Sequence, residues 1–226
     1  GVTVDSNGDV YVADTSNGRI QKFDRTGRFV LAQLSVVAND VAVDASGNIF
    51  VTNPTSTSYG INKYRNDGAY LASASSFRSY GIAVDRDGNV YVANTWSHRI
   101  QKFDNDLNLL FVWGSQGSGD GEFQSPQGVA VDADGKVYVA DTGNGRIQKF
   151  DENGNYLGQW SSLSTGFRSP VAVEVDAAGN VYVADTGNDS IQKFDGDGNF
   201  LTSWYGVGAD GVAVNADGHV YVTEPH

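Results

Sequence analysis

The chain has 226 residues, a hydrophobic content of 40% and a formal net charge of −12. The hydrophobic content excludes a disordered chain, and the net charge makes nucleic acid an unexpected ligand because an acidic protein repels phosphate backbones. The lack of cysteine excludes disulfide bonds and cysteine-based zinc sites, and no apolar run approaches the roughly 18 residues of a membrane span, so no membrane insertion is expected.

Four short apolar segments separated by turns fill approximately the first 40 residues, and this unit recurs along the chain. Its copies cover approximately residues 1–40, 41–80, 81–127, 128–170 and 171–210, followed by a partial copy at 211–226. In the fourth copy the segments read GVAVD, VYVAD, RIQKFD and NYLGQW. The first two are rich in β-branched residues, as buried strands are, and glycine-containing turns such as DADGK predict hairpins between the strands.

A fourteen-residue motif is the most uniform part of the unit. It reads YVADTSNGRIQKFD at 11–24, YVANTWSHRIQKFD at 91–104, YVADTGNGRIQKFD at 138–151 and YVADTGNDSIQKFD at 182–195, with a divergent copy, FVTNPTSTSYGINKYR, at 50–65. Four antiparallel strands in every ~40 residues are typical of a β-propeller blade. We therefore predict an all-β protein that forms a single propeller domain over residues 1–226.

The segment GSGDGEFQSPQGVAVDADGKVYVADTGNGRIQKFDENGNYLGQW at 117–160 closely resembles the NHL repeat, and the resemblance extends over essentially the whole chain. The resemblance implies a propeller, commonly six-bladed, with the first strand of each repeat at the hub. Since the last copy stops after two strands, we expect a six-bladed β-propeller of four-stranded antiparallel blades whose sixth blade is incomplete. The open strand edge at 219–223 would recruit strands from other chains, which predicts self-association.

Polar side chains stand at the ends of the second strands. Six-fold geometry would place them around one mouth of the central channel, where Ca²⁺ or another divalent cation could bind. The alternative, which we favour, is that each side chain caps the turn after it or pairs with the arginine five residues on. The six residues are Asp14, Asn53, Asn94, Asp141, Asp185 and Glu224.

Glu174 departs from its position in the repeat. The corresponding residues of the other innermost strands are Thr3, Ala42, Ala83, Ala130 and Ala213. A carboxylate beside the hub must reach water, a cation or hydrogen-bond donors, because burying it alone is expensive. Glu174 is therefore either a structural acid with satisfied hydrogen bonds or, together with the strand-end residues, part of a carboxylate-only metal site.

A second set of departures lies in the second-to-third and fourth-to-first connections, which emerge on one face of the predicted ring, called here the loop face. Trp96 stands where other copies have Gly143 and Gly187, and His98 stands where the fourth copy has Gly145. Aromatic residues and arginine in irregular loops are typical of binding sites. The predicted binding residues are Tyr59, Arg78, Tyr80, Trp96, His98, Phe123 and Arg168. The alternative for Phe123 is that it fills a gap between blades.

Histidine content argues against catalysis. The resemblance includes propeller enzymes, namely a peptide-amidating lyase and metal-dependent lactonases, whose chemistry needs histidines or clustered carboxylates at the channel mouth. The histidines here are His98, His219 and His226, and their positions in the repeat keep them from assembling into one site. We therefore expect no cofactor, with a channel cation as the alternative.

The favoured function is a non-catalytic interaction module that binds a protein, peptide or carbohydrate on its loop face. The alternatives are a metal-dependent lyase or lactonase-like enzyme with a carboxylate site at the channel mouth, and a structural repeat unit of a surface assembly. The composition and the resemblance together favour an extracellular or cell-surface location in a prokaryote. Because the chain contains no Met, we expect it to be a segment of a larger protein.

Overall fold

The computed structural model describes residues 1–53, 59–75, 77–162 and 166–224, of which residues 31–33 are described by their backbone. These residues form five antiparallel sheets of four strands, called here blades 1 to 5, and one sheet of two strands. No helix in these ranges is long and apolar enough to cross a bilayer. The prediction of an all-β propeller built from four-stranded antiparallel blades is confirmed.

The strands of each blade follow one another in chain order. Blade 1 contains β1 (Val2–Val4), β2 (Val10–Asp14), β3 (Arg19–Phe23) and β4 (Phe29–Leu34). Blade 2 contains β5 (Val41–Val43), β6 (Ile49–Asn53), β7 (Gly60–Tyr64) and β8 (Tyr70–Ser75). Blade 3 contains β9 (Ile82–Val84), β10 (Val90–Asn94), β11 (Arg99–Phe103) and β12 (Leu109–Trp113). Blade 4 contains β13 (Val129–Val131), β14 (Val137–Asp141), β15 (Arg146–Phe150) and β16 (Tyr156–Trp160).

Blade 5 contains β17 (Pro170–Val175), β18 (Val181–Asp185), β19 (Ser190–Phe194) and β20 (Phe200–Tyr205). The two-stranded sheet, called here the hairpin sheet, contains β21 (Gly211–Val214) and β22 (Val220–Thr223). Short 3₁₀ turns connect the second and third strands of four blades, at Thr15–Asn17, Thr95–Ser97, Thr142–Asn144 and Thr186–Asn188.

The turns between first and second strands are held by aspartate. In blade 4 the carboxylate of Asp132 accepts the backbone N–H groups of Asp134 and Lys136, both at 2.9 Å. Gly135 occupies the left-handed region at φ 79°, where a side chain would be strained. The same carboxylate also accepts the hydroxyl of Tyr138 at 3.1 Å. The D-x-x-G pattern is therefore a hairpin turn that also anchors the buried tyrosine of the second strand.

The core lies between neighbouring blades rather than within one blade. One buried cluster joins Ala130 and Tyr138 of blade 4 to Val173, Val181 and Phe194 of blade 5, and equivalent clusters fill the other spaces between blades. The innermost strands contact each other in chain order, and β21 contacts both β17 and β1, which closes the hub around a central channel.

The prediction of six blades with an incomplete sixth was wrong in its blade number. The described residues form five blades, and the sixth repeat contributes the hairpin sheet. A blade of this fold needs four strands, and only β21 and β22 follow blade 5 in this part of the chain. Within it, β22 pairs with β21 alone. Self-association through the free edge of β22 stays a prediction.

Candidate functional site

The strand-end carboxylates of blades 4 and 5 bind the loops next to them. Asp141 is fully buried and accepts the backbone N–H of Gln124 at 2.7 Å, the Nε–H of Arg146 at 2.7 Å and the side-chain amides of Asn144 and Gln148. Asp185 is buried in the same way and accepts the backbone N–H groups of residues 168 and 169. These carboxylates stabilise the connections between blades by charge-assisted hydrogen bonds.

The other strand-end residues are dispersed. Asp14 accepts the Nε–H of Arg19 at 2.7 Å, and this hydrogen bond lowers the pKa of the Asp14 carboxyl. Asn94 accepts the backbone N–H of Ser97 and donates to Gln101. Asn53 is buried at the end of β6, whereas Glu224 is exposed and lines the channel together with Asp14. The structure does not bring the six side chains together, and the described residues contain no group of three or more His, Asp or Glu placed to hold a metal ion.

Glu174 projects from β17 among the residues that line the central channel, a cavity of about 980 Å³. Burial raises the pKa of Glu174 to about 8, and the Asp40 carboxylate contributes to the rise by like-charge repulsion. The backbone N–H of Val175 opposes the rise. Glu174 therefore changes its charge near neutral pH.

Asp40 is a second channel carboxylate, and the sequence analysis did not select it. Its Oδ1 accepts the N–H of Val41 at 2.9 Å, and its Oδ2 accepts the N–H of Ile82 at 3.1 Å. Because Ile82 belongs to the innermost strand of blade 3, Asp40 joins blades 2 and 3 at the hub. Burial raises its pKa. A signal was present in the sequence, since four of the other five repeats have glycine at this position (Gly1, Gly81, Gly128 and Gly211) and the fifth repeat has Ala172.

Three of the predicted binding residues form one group on the loop face, called here the loop-face cluster: Tyr59, Arg78 and Trp96. The guanidinium carbon of Arg78 lies 4.2 Å from the ring centre of Tyr59 and 4.3 Å from that of Trp96. The positive charge thus lies close to two aromatic rings, an attractive arrangement because each ring carries negative charge on its face.

The elements that carry the loop-face cluster are fixed by polar contacts. Trp96 lies in the 3₁₀ turn after β10, where the hydroxyl of Thr95 donates to the carbonyl of Pro126 at 2.7 Å. Arg78 lies between β8 and β9, next to Ser79, whose hydroxyl donates to the carbonyl of Gly60 at 3.4 Å. The cluster therefore spans the boundary between blades 2 and 3.

Two properties of the loop-face cluster favour contact with a ligand. Trp96 is 65% exposed although the Arg78 guanidinium lies over its ring, so much of the indole surface is open to a ligand. The Arg78 guanidinium makes no hydrogen bond or ion pair with any residue in the described part of the chain. Tyr80, two residues further along, is 45% exposed and also lines the channel mouth.

The remaining predicted binding residues lie elsewhere. Phe123 is fully buried against Phe150, with ring centres 5.6 Å apart, so it fills the space between blades 3 and 4 and offers no ligand surface. His98 ends the 3₁₀ turn at φ 53° and accepts the backbone N–H of Ser125 through Nδ1 at 2.9 Å. Arg168 is exposed on the loop face over blade 5. His226 lies outside the described residues.

Comparisons with known proteins agree with this architecture. The model of the NHL repeat matches residues 1–23, 81–103, 123–150 and 167–194. None of the curated proteins matches the chain in sequence.

Solved structures of other propellers superpose over nearly the whole chain. Virginiamycin B lyase from Staphylococcus aureus aligns with a TM-score of 0.74 at 14% identity, over 99% of this chain and 76% of that chain. XC5397 from Xanthomonas campestris, described as a gluconolactonase, aligns with a TM-score of 0.78 at 18% identity, over 99% and 82%. A chain of a nidogen/laminin complex aligns with a TM-score of 0.71 at 19% identity, over 91% and 79%. At these low identities the likeness establishes the fold and no shared activity. Because the NHL matches coincide with strands of blades 1, 3, 4 and 5, the chain belongs to the NHL-repeat β-propellers.

Proposed function

We propose that this chain is a non-catalytic binding module whose ligand site is the loop-face cluster. The observation that carries the proposal is the Arg78 guanidinium, which contacts the rings of Tyr59 and Trp96 and has no hydrogen-bond partner among the described residues. Arginine and tryptophan are the residues that most often dominate binding energy, and a ligand that buries the open face of Trp96 gains about 2 kcal/mol.

A second candidate function is catalysis in the central channel. It is favoured by Glu174, whose pKa of about 8 would allow it to transfer a proton near neutral pH, and by the neighbouring charge of Asp40. Two of the superposable structures are a lyase and a gluconolactonase by description, but that likeness supports the fold alone.

One experiment distinguishes the two candidates. The wild-type chain and the variants Trp96→Ala, Trp204→Ala and Glu174→Gln are applied to arrays of glycans and peptides, and any bound ligand is examined for turnover by mass spectrometry. Trp204 is the matched control because it is 42% exposed on β20, an outer strand of blade 5. We expect Trp96→Ala to abolish binding, whereas Trp204→Ala and Glu174→Gln retain it. Turnover that is lost in Glu174→Gln and retained in Trp96→Ala would establish the enzyme in place of the binding module.

A further inference from the structure

We infer that the ligand of the loop-face cluster is a sugar that carries one carboxylate, such as a hexuronic acid at the end of a glycan. This inference rests on the proposed function and specifies the ligand class of the same site. It begins with the geometry of Arg78, because its guanidinium carbon lies 4.2 Å from the ring centre of Tyr59 and 4.3 Å from that of Trp96.

A carboxylate is expected to approach the edge of the Arg78 guanidinium. That edge carries the N–H donors, which match the two oxygens of a carboxylate in a bidentate arrangement. The flanking rings also hold the guanidinium in one orientation, so less freedom is lost when a carboxylate binds. Arg168, the other exposed arginine named on this face, has no aromatic ring stacked on it within the described residues.

The open face of Trp96 determines what the carboxylate is attached to. The face of an indole ring is negatively charged and flat, and the axial C–H groups of a pyranose form a flat, weakly positive surface of similar size. Tyr80, also exposed, offers a second aromatic ring and a hydroxyl beside the cluster. A sugar that stacks on Trp96 can place a carboxylate toward the edge of Arg78.

The exposed aromatic rings favour a sugar over an acidic peptide. Peptide recognition uses pockets for anchor side chains or a free strand edge. The channel cavity and the groove on the opposite face are lined by residues other than Tyr59, Arg78 and Trp96. The cluster instead presents the exposed ring of Trp96, which suits the stacking of a sugar ring.

The charge of the whole molecule limits the ligand to few carboxylates. The net charge of −12 repels a polyanion, although salt at physiological concentration screens charges more than about 8 Å apart. A polymer with a carboxylate on every sugar would bring many such groups toward the acidic surface. A single uronic acid on a neutral glycan engages Arg78 and avoids most of this repulsion.

Nuclear magnetic resonance of the ¹⁵N-labelled chain tests the inference with small probes. Sodium glucuronate, glucuronamide, glucose and an N-acetylated aspartyl peptide are titrated while the indole N–H of Trp96 and the Nε–H of Arg78 are observed. The variants are Arg78→Gln, Arg78→Lys and, as the matched control, Arg168→Gln. The amide spectrum and thermal midpoint of each variant show whether it is folded.

We expect saturable shifts with glucuronate and at least about tenfold weaker binding of glucuronamide and glucose, because both lack the carboxylate to which the guanidinium would donate. Arg78→Gln and Arg78→Lys should each weaken glucuronate binding by about tenfold or more, and Arg168→Gln should leave it unchanged.

Equal binding of glucose and glucuronate, or stronger binding of the aspartyl peptide, would overturn the inference. So would a lower thermal midpoint of Arg78→Gln with unchanged glucuronate binding, which would make Arg78 a structural clamp. If glucuronate does not bind but another array ligand binds only when Trp96 is present, the inferred ligand class is wrong and the proposed binding function stands. If no array ligand needs Trp96 for binding, the proposed function itself is wrong.

Discussion

Blades 2 and 4 have the same four-stranded topology but differ at several polar positions of the repeat. In blade 4 the buried Asp141 binds Arg146 and the preceding connection, and Tyr138 donates to Asp132. In blade 2, Asn53 replaces the aspartate and Phe50 replaces the tyrosine. The NHL repeat model matches blade 4 and passes over blade 2.

The difference shows which positions are needed only to build a blade. Where the tyrosine hydroxyl is missing in blade 2, Lys63 donates instead to Asn105 of the neighbouring blade, which in turn donates to Asp44. Asp44 still accepts the backbone N–H groups of residues 46 and 48, as Asp132 accepts those of 134 and 136, so the hairpin turn is retained and only the tyrosine contact is replaced. The departures that this region adds, Asp40 and the loop-face cluster, lie at the boundary between blades 2 and 3.

The strongest test of the regular blade is the removal of its buried carboxylate. We expect Asp141→Ala to lower the free energy of unfolding by about 3–5 kcal/mol, because Arg146 is left buried without its charge partner. Asp14→Ala is the control, because it breaks the equivalent ion pair in blade 1, where the side chain of Arg19 is 42% exposed. It should lower the free energy of unfolding by about 1 kcal/mol or less. Urea denaturation measures both. Equal losses would show that burial does not distinguish the two sites.

The pH dependence of stability tests the role of the channel carboxylates. The folded chain keeps Glu174 protonated up to about pH 8, whereas the unfolded chain ionises it near its ordinary pKa of 4.5. Between these values the folded state binds more protons, so stability should fall as pH rises. We expect the wild type to lose on the order of 3 kcal/mol relative to Glu174→Gln between pH 5 and pH 9, somewhat less than the full shift because the channel admits water.

The variant Asp40→Gly adds a second test to the same measurement. It gives blade 2 the glycine that blade 4 has at the equivalent position, Gly128. Its carboxylate contributes to the raised pKa of Glu174, so this variant should lower that pKa. Parallel pH profiles of the wild type and Glu174→Gln in urea denaturation would contradict the assignment of a protonated Glu174.

Leu107 tests whether packing outweighs backbone strain at the boundary between blades 2 and 3. It has φ 64° where blade 4 has Gly154, yet its side chain is buried in the cluster that joins these two blades. Leu107→Gly relieves strain of about 1 kcal/mol and loses about 2–3 kcal/mol of burial, so a net destabilisation of about 1–2 kcal/mol is expected. Thermal denaturation measures it. A stabilised variant would show that strain dominates.

Blade 4 provides the reverse substitution for Leu107. At Gly154, φ is 79°, and an added Cβ would lie 2.9 Å from the ring of Trp113. We therefore expect Gly154→Ala to destabilise the chain as well, since strain and a close contact act together there. Unchanged stability would mean that Trp113 moves aside at little cost.

The smallest effect on stability is expected at the loop-face cluster. Trp96→Ala removes one cation–π contact at an exposed site and should cost less than about 1 kcal/mol. A loss above about 2 kcal/mol in thermal denaturation would mean that Trp96 fastens the loops of blades 2 and 3 and is needed for the fold.

Local chemistry explains what could be predicted from the sequence. The strands and hairpin turns follow from short-range features, namely alternating β-branched residues and the Asp–Gly turns, so they could be located without a structure. The stacking of Arg78 between two rings could not, because Tyr59 and Trp96 reach it from different blades. Phe123 was assigned to the binding surface for the same reason, since only the packing of blades 3 and 4 shows that it is buried. Asp40 could have been found from the sequence, because four of the five equivalent positions are glycine and the fifth is Ala172.

The contact between β21 and β1 sets the order in which the molecule assembles. Neighbouring innermost strands are separated by about 40 residues, whereas the ring is closed by residues as far apart as Val2 and Val212. The closing loop is roughly five times longer, which adds about 1.4 kcal/mol of chain entropy to the cost of that one contact. Blades should therefore dock onto their sequence neighbours first and the seam should form last. Under native conditions the same seam should open first, so the amide hydrogens of blade 1 and the hairpin sheet should exchange with solvent faster than those of blade 4.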